Sequence, residues 1–506
     1  MSSSNSSRTV SMVIAAAVLI SGMGAVLAIN TERPDLTARQ LFDNGMVEFQ
    51  ASNYGAASDL FARSYQGFLR SGNDDAASEA QNMKFRCDRV LFEYSLTREQ
   101  AEELLADTFT WVPESERSSW LNSSSIEKIT SDGVELYYGG IAENIAFRNL
   151  TLLHQWLDKD EPDMFKGMMD EVLDLDADRS GTYFSPRSYI ADGTLTIPRS
   201  ELPSTGTLSV WLPAPIGTAS QVNVTVVSAE PEEWVRTIST DGDLGQIYME
   251  VPLENLTEDL AIDVTYSYAV YQKHFDVDPS SLGDYNRTSD DYIRYTTSQE
   301  SIRITPEITA EAQQVVGNET NPYLQAKLLY DYVIGNITYS YTPHLTIDAL
   351  GIGESEYVRM HRYGDCGAQS QYYCALLRSL GIPARSCGGY QSFGGGTGTH
   401  FWAEFFLPEY GWVPVDVTAA DTVDWIPADQ ATDEERAAYK EYFFGNLDSM
   451  RLVIQNDPDI ALEPQPRQLN PMRIVFQNAV ASCASSDQDL PLMAMMNWSL
   501  IITALP

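Results

Sequence analysis

Tyr363-Gly364-Asp365-Cys366-Gly367-Ala368-Gln369-Ser370-Gln371-Tyr372 sets a cysteine where a turn becomes a helix. Asp365 or Gly364 can cap that helix, and Tyr372, Ala375, Leu376 and Leu380 recur at the spacing of a buried helical stripe. Gly381, with Pro383 just beyond it, ends the helix. A helix N-terminus leaves N–H groups unpaired and carries about half a positive charge, which favours thiolate over thiol. Cys366 is therefore the cysteine expected to react, and the same N–H groups are placed to hold a developing oxyanion.

A thiolate nucleophile needs a base, and the base needs an acceptor to orient it. Working outward, Thr399-His400-Phe401-Trp402-Ala403-Glu404-Phe405-Phe406 reads as a strand with His400 at its start. Gly411-Trp412-Val413-Pro414-Val415-Asp416 reads as the next strand, with Leu407-Pro408-Glu409-Tyr410 as the connection. So short a turn brings the open ends of the hairpin together, and His400 and Asp416 become neighbours. Taken singly, each residue has a plainer reading: a structural thiol, a solvated strand-end histidine, a turn-capping aspartate. Found in order at this spacing, they point to covalent catalysis.

Three ordered blocks then carry a resemblance: Gly364-Asp365-Cys366-Gly367 followed by Leu376-Leu377-Arg378-Ser379-Leu380-Gly381-Ile382-Pro383-Ala384-Arg385, then His400 to Glu404, then Gly411 to Asp416. Over about residues 301–477, and most tightly over 363–418, the sequence resembles the transglutaminase-like superfamily. The resemblance implies a papain-like Cys-His-Asp core, with Cys366 as nucleophile, His400 as general base and acid, and Asp416 as the orienter of His400. It also implies a β-sandwich before that core. It supplies no side-chain oxyanion donor; Tyr363 and Gln369 are the nearest in sequence.

The expected organisation is multidomain α+β. Residues 1–30 read as a signal peptide or signal anchor, because 10–29 is an uncharged run of bilayer-spanning length preceded by Arg8. Residues 31–180 read as a helical, TPR-like region, with Leu41, Gly45, Phe49, Tyr54, Ala57 and Phe61 at helix-hairpin spacing. At 181–275 the period changes to two, as for an antiparallel β-sandwich. Residues 276–300 read as a polar linker. Residues 301–480 form the catalytic domain, with helices opening at Thr305-Pro306-Glu307 and spanning about 323–334 and 433–442, and strands at 450–455 and 472–477. Residues 481–506 read as a C-terminal extension.

The 506 residues carry 32 Lys+Arg against 71 Asp+Glu, a net charge of −39. That balance excludes a nucleic-acid partner, which wants clustered basic residues, and reads instead as a solvated acidic surface. Five Cys make no disulfide framework, and a Cys374–Cys387 bridge, though open, has no support in the sequence; Cys87 and Cys483 read as buried fillers. Nine Asn-X-Ser/Thr sequons, at Asn5, Asn122, Asn149, Asn223, Asn255, Asn286, Asn318, Asn336 and Asn497, suit an exported surface. No cofactor and no metal are expected. The run Asp174 to Gly181 imitates half a calcium loop but puts Arg179 at its sixth position and Ser185 at its twelfth. His361 with Cys366, or Cys374 with Cys387, lacks zinc spacing. The run Gly394 to Gly398 lacks the Lys-Ser/Thr of a phosphate loop and reads as a flap before His400.

The sequence thus predicts an extracytoplasmic, membrane-anchored or secreted cysteine enzyme. It cleaves or transfers an amide acyl group of a protein or peptide through a thioester, with water as the default acceptor. The alternative is a cell-surface binding or scaffold protein with an idle triad, its helical region holding a protein partner.

Overall fold

The computed structural model describes residues 36–160, 164–175, 181–393, 396–466, 476–484, 490–494 and 497–506. The apolar run at 10–29, most of the carboxylate run at 174–181, part of the glycine run and most of the strand read at 472–477 lie outside them.

The helical spacing at the start of the chain yields three successive helices, Ala38–Gln50, Tyr54–Arg70 and Asp74–Glu93. Thr37 and Gln40 close a capping box that fixes the first one. Gly45 is a point of close approach: a Cβ there would fall 2.7 Å from the Phe61 ring. Phe42, Phe61, Phe68, Met83 and Val90 form the buried cluster between these helices. Further helices follow at Arg98–Thr108, Glu114–Leu121, Ile141–Phe147, Leu150–Asp160 and Met164–Leu175. The helical reading misses a hairpin, Lys128–Ser131 with Val134–Tyr137. Its two-residue turn is Asp132-Gly133, both at positive φ (52° and 78°), the geometry that matches the twist of paired strands.

Two five-stranded antiparallel sheets come next. The first runs Asn446–Leu447, Leu260–His274, Tyr183–Ile197, Trp498–Ala504, with Gln221–Glu230 also paired to Leu260–His274. The second runs Leu490–Ala494, Val480–Ala484, Thr207–Pro213, Gln246–Pro252, Val235–Ser239. They share one buried cluster that includes Leu195, Trp211, Met249 and Tyr266. Residues 481–506, read from the sequence as an extension, hold strands of both sheets: Trp498 pairs with Leu195 and Cys483 with Leu208. Alternating apolar residues in a terminal segment carry no sign of which distant strand they will meet, so the reading had no purchase there.

The segment 276–300 also departs from the reading of a free linker. It contains the helix Asp290–Thr296, and Tyr295 is buried with its ring 4.9 Å from that of Trp412. Aromatic anchors in a polar stretch tie it to the sheet that carries His400. That sheet is antiparallel, in the order Gly411–Val415, Gly398–Leu407, Ala384–Gln391, Arg451–Gln455. Gly389 is the tightest crossing, since a Cβ would sit 1.8 Å from the Leu452 carbonyl oxygen. Against the sheet packs the helix Cys366–Ser379, flanked by Pro306–Val316 and Pro322–Asn336. Buried Glu404 ties the sheet to the strand Leu260–His274 through Lys273, and also pairs with Arg385 within the sheet. Burial alone would raise its carboxyl; Lys273 and Arg385 hold it down, at about 2.

Candidate active site

The helix Cys366–Ser379 is buried on every face from Gly367 to Arg378, more completely than the single stripe read from the sequence. A helix apolar or satisfied all round belongs at the centre of a domain. Of the two caps considered, Asp365 takes the role: its side chain accepts from the Ala368 N–H at 3.1 Å. At the other end Gly381, at φ 79°, donates to the Arg378 carbonyl, and Ile382 donates to that of Leu377. These two bonds form the Schellman stop that a glycine in this position allows.

Cys366 is partly exposed, whereas Cys87, Cys374, Cys387 and Cys483 are buried, and neither Cys374 nor Cys387 is in a disulfide. The Cys374–Cys387 bridge is therefore not made. The Phe401 N–H, one residue after His400, points at the Cys366 sulfur, and so does that of Gly367. Ser370 donates to the Phe401 carbonyl at 3.3 Å, which pins helix to strand. The expectation of a resting thiolate does not hold. Burial pushes the Cys366 thiol up, Asp365 and Asp416 add to it, and the two N–H groups only partly offset this. Burial is the larger cause, and the carboxylate cap adds to it by opposing the field of the helix end.

His400 and Asp416 meet as the hairpin predicted. His400 Nε2 lies 2.7 Å from Asp416 Oδ2, with both residues buried. Ala403 pairs with Val415 in register, so Asp416 is the first residue past the ladder. There it caps the short helix Val417–Asp421 by accepting from Ala419 N–H at 2.9 Å. The same Oδ2 accepts from Arg451 Nη1 at 2.5 Å, and Arg451 also pairs with buried Asp448. Burial would raise Asp416; His400 and Arg451 together hold its carboxyl well below the usual carboxylate range. Gln477 Nε2 donates to the carbonyls of His400 and Gly389, fixing the histidine backbone.

Sequence reasoning missed Arg451 and Gln477. The available signal for Arg451 was a cation inside an apolar strand, Met450-Arg451-Leu452-Val453, which needs a buried counter-charge. Neither suggested oxyanion donor is free. Tyr363 donates to buried Glu127, and Gln369 Nε2 donates to the Gly364 carbonyl at 3.0 Å. His361 stacks on Tyr357 instead of meeting Cys366, and no cluster of metal-ligating side chains occurs among the described residues.

A second histidine contacts Asp365, the residue before Cys366. His344 Nε2 lies 2.6 Å from Asp365 Oδ2 and its Nδ1 3.8 Å from Glu354 Oε1. Glu93 caps its helix from the N-terminal region through the N–H groups of Leu345 and Thr346. Burial works against the charged imidazole, but Asp365 and Glu354 outweigh it, so His344 titrates well above its ordinary value. A raised histidine stabilises fully below its unfolded value of about 6.5, and loses that contribution as pH rises through the folded value. The difference in urea midpoint between the parent and His344→Gln is therefore expected to be larger near pH ~6 than near pH ~9. A difference that stays constant or grows with pH would overturn the ion-pair reading.

Residues 309–417 match the profile of the transglutaminase-like superfamily. Over 214 residues the chain is 26% identical to an uncharacterised protein of Haemophilus influenzae, a match covering 36% of this chain and 56% of that relative. The chain thus spans about half the length of the curated relative it matches. Among solved structures, a candidate cysteine protease of Cytophaga hutchinsonii aligns at a TM-score of 0.37 and 15% identity, over 64% of this chain and all of that one. The periplasmic domain of TgpA from Pseudomonas aeruginosa aligns at 0.25 and 14%, over 50% of this chain and all of that one. The stretch that matches this family profile, residues 309–417, contains Cys366, His400 and Asp416.

Proposed function

We propose that the chain is an exported cysteine enzyme acting on an amide of a protein or peptide, with hydrolysis as its default outcome. Cys366 attacks the carbonyl carbon and its proton passes to His400. The His400 nitrogen that faces Asp416 is occupied, which leaves Nδ1 as the base. Because burial keeps the sulfur protonated at rest, proton transfer accompanies attack instead of preceding it. The first-turn N–H groups of Cys366 and Gly367 receive the developing oxyanion. Collapse breaks the C–N bond, His400 protonates the departing amine, and a thioester to Cys366 remains. Water, deprotonated by His400, then releases the acid; an amine in its place would give a new amide.

The observation that carries this reading is the buried Asp416–His400 pair, held from behind by Arg451, on the strand whose next N–H points at Cys366. An idle site has no need to bury and compensate so much charge. Export rests on the apolar run at 10–29 and the nine sequons. No helix among the described residues is long and apolar enough to cross a membrane.

The test is mass spectrometry of glutamine-containing peptides incubated with the chain from about residue 31 onward and a primary amine, beside Cys366→Ala. Backbone cleavage, deamidation or amine incorporation is expected, and is expected to vanish in Cys366→Ala. A product that survives that substitution would sink the nucleophile assignment. No product across a broad peptide set would favour the binding protein.

A further inference from the structure

Beside the catalytic core lies a cavity of about 340 Å3 that the mechanism above leaves unused. Phe147, from the N-terminal region, and Tyr339 and Trp425, from the core, form one wall; each pair of these rings has its centroids 5.0 Å apart. Asp421 and Asp424 also line it. Asp424 is paired with Lys440 at 2.8 Å. Arg148, in the same lining, donates to the Ser125 carbonyl and to Asn144 Oδ1, and its guanidinium lies over the Tyr363 ring.

Asp421 is different. It is 5% exposed, and neither buried carboxyl oxygen has a hydrogen bond of ordinary geometry, although the Gln369 amide lies near enough to favour the anion. Leaving such a group unsatisfied is costly, so a native fold keeps one only where something else meets it. Burial pushes its carboxyl up, Asp424 and Asp416 add to this, and Lys440 and the Gln369 amide oppose it. Burial thus works against the Asp421 anion. A guest that donates hydrogen bonds and carries positive charge would restore the anion, and aromatic faces add to the attraction for such a guest. An anionic guest would meet carboxyl groups, and a purely apolar one would leave Asp421 unmet.

Two lining residues are tied through the fold to elements that carry Cys366 and Asp416. Tyr339 pairs in register with Gly364, two residues before Cys366. Asp421 ends the short helix that Asp416 caps. We propose that this cavity is a specificity subsite for the alkylammonium side chain of a lysine in the acyl portion of the substrate, with Asp421 as its anchor and Phe147, Tyr339 and Trp425 against its methylene stem. The proposal deepens the amide reading by naming a substrate feature, but the binding itself does not depend on turnover.

The experiment is calorimetry on the Cys366→Ala chain, titrated with Nα-acetyl-lysine-N-methylamide and with its norleucine counterpart, in buffers of different ionisation enthalpy. Saturable binding of the lysine compound is expected, at least about tenfold tighter than the norleucine one. Binding should release about one proton, because Asp421 ionises as the ammonium enters. Asp421→Asn should weaken binding by about tenfold or more and abolish the proton release. No saturable binding, equal binding of the two compounds, or proton release unchanged in Asp421→Asn would overturn the proposal. If that variant fails to fold, the comparison of the two compounds and the buffer dependence still decide. Binding without amide chemistry in the peptide experiment would sink the enzyme reading and leave the subsite; amide chemistry without binding would do the reverse.

Discussion

Replacing Asp416 by Asn is expected to lower turnover by about 10^3- to 10^4-fold while changing KM little. Four donors converge on this carboxylate. His400 and Arg451 share Oδ2, while Ala419 N–H and Thr418 Oγ1 share Oδ1. An amide has one acceptor atom and one donor atom, so either orientation sets donor against donor. With the NH2 toward His400 it confronts Arg451 and turns the imidazole to the tautomer that carries its proton at Nδ1, where it cannot take one from Cys366. With the NH2 toward Ala419 it loses the cap, about 1 kcal/mol. In that case it also removes the negative charge that stabilises the imidazolium. Steady-state kinetics on the peptide found by mass spectrometry, after circular dichroism has established the fold, checks this. Activity within about tenfold of the parent would show that Asp416 is not the orienting group.

The largest loss of stability is expected at Arg451. Its side chain is 1% exposed and stands between Asp416 and Asp448, both fully buried, with its guanidinium 5.3 Å from the Trp402 ring centroid. Arg451→Met keeps much of the volume but leaves two buried carboxylates without their cation. Breaking a buried pair from one side costs about 3–5 kcal/mol. The carboxylates answer by taking up protons, so the variant should lose least stability in acid. Urea unfolding at two pH values measures both effects. Adding Asp448→Asn should recover part of the loss, since it removes one stranded charge. A loss below about 1 kcal/mol would mean that water reaches these carboxylates, contrary to their burial.

What could be read from the sequence depended on whether the signal was local. The helix opening at Thr305-Pro306 and the stop at Gly381 are written in adjacent residues, and the helices Pro306–Val316 and Cys366–Ser379 follow them. The meeting of His400 and Asp416 followed from one short turn. Arg451 stood out only as a cation inside an apolar strand; that it meets Asp416 was out of reach, because that carboxylate lies in another element. Asp365 was legible as a cap, but its effect on the sulfur was not, because that depends on burial. The terminal strands Val480–Ala484 and Trp498–Ala504 show the same limit: their alternation is plain, while their partners are a catalytic core away. Asp132-Gly133 carried a turn signal that the surrounding helical periodicity masked.

The pairing of Trp498–Ala504 with Tyr183–Ile197 also bears on how the protein is born. The strand Tyr183–Ile197 leaves the ribosome long before its partner, with residues 198–497 translated in between. Closing so long a loop is a slow step, and until then a hydrophobic strand edge stays open to other chains. The nascent chain has a task meanwhile: the core can fold within its own contacts while the sheet waits for its last strand. A chain lacking Trp498–Ala504 would leave the Tyr183–Ile197 edge open to pairing with other chains.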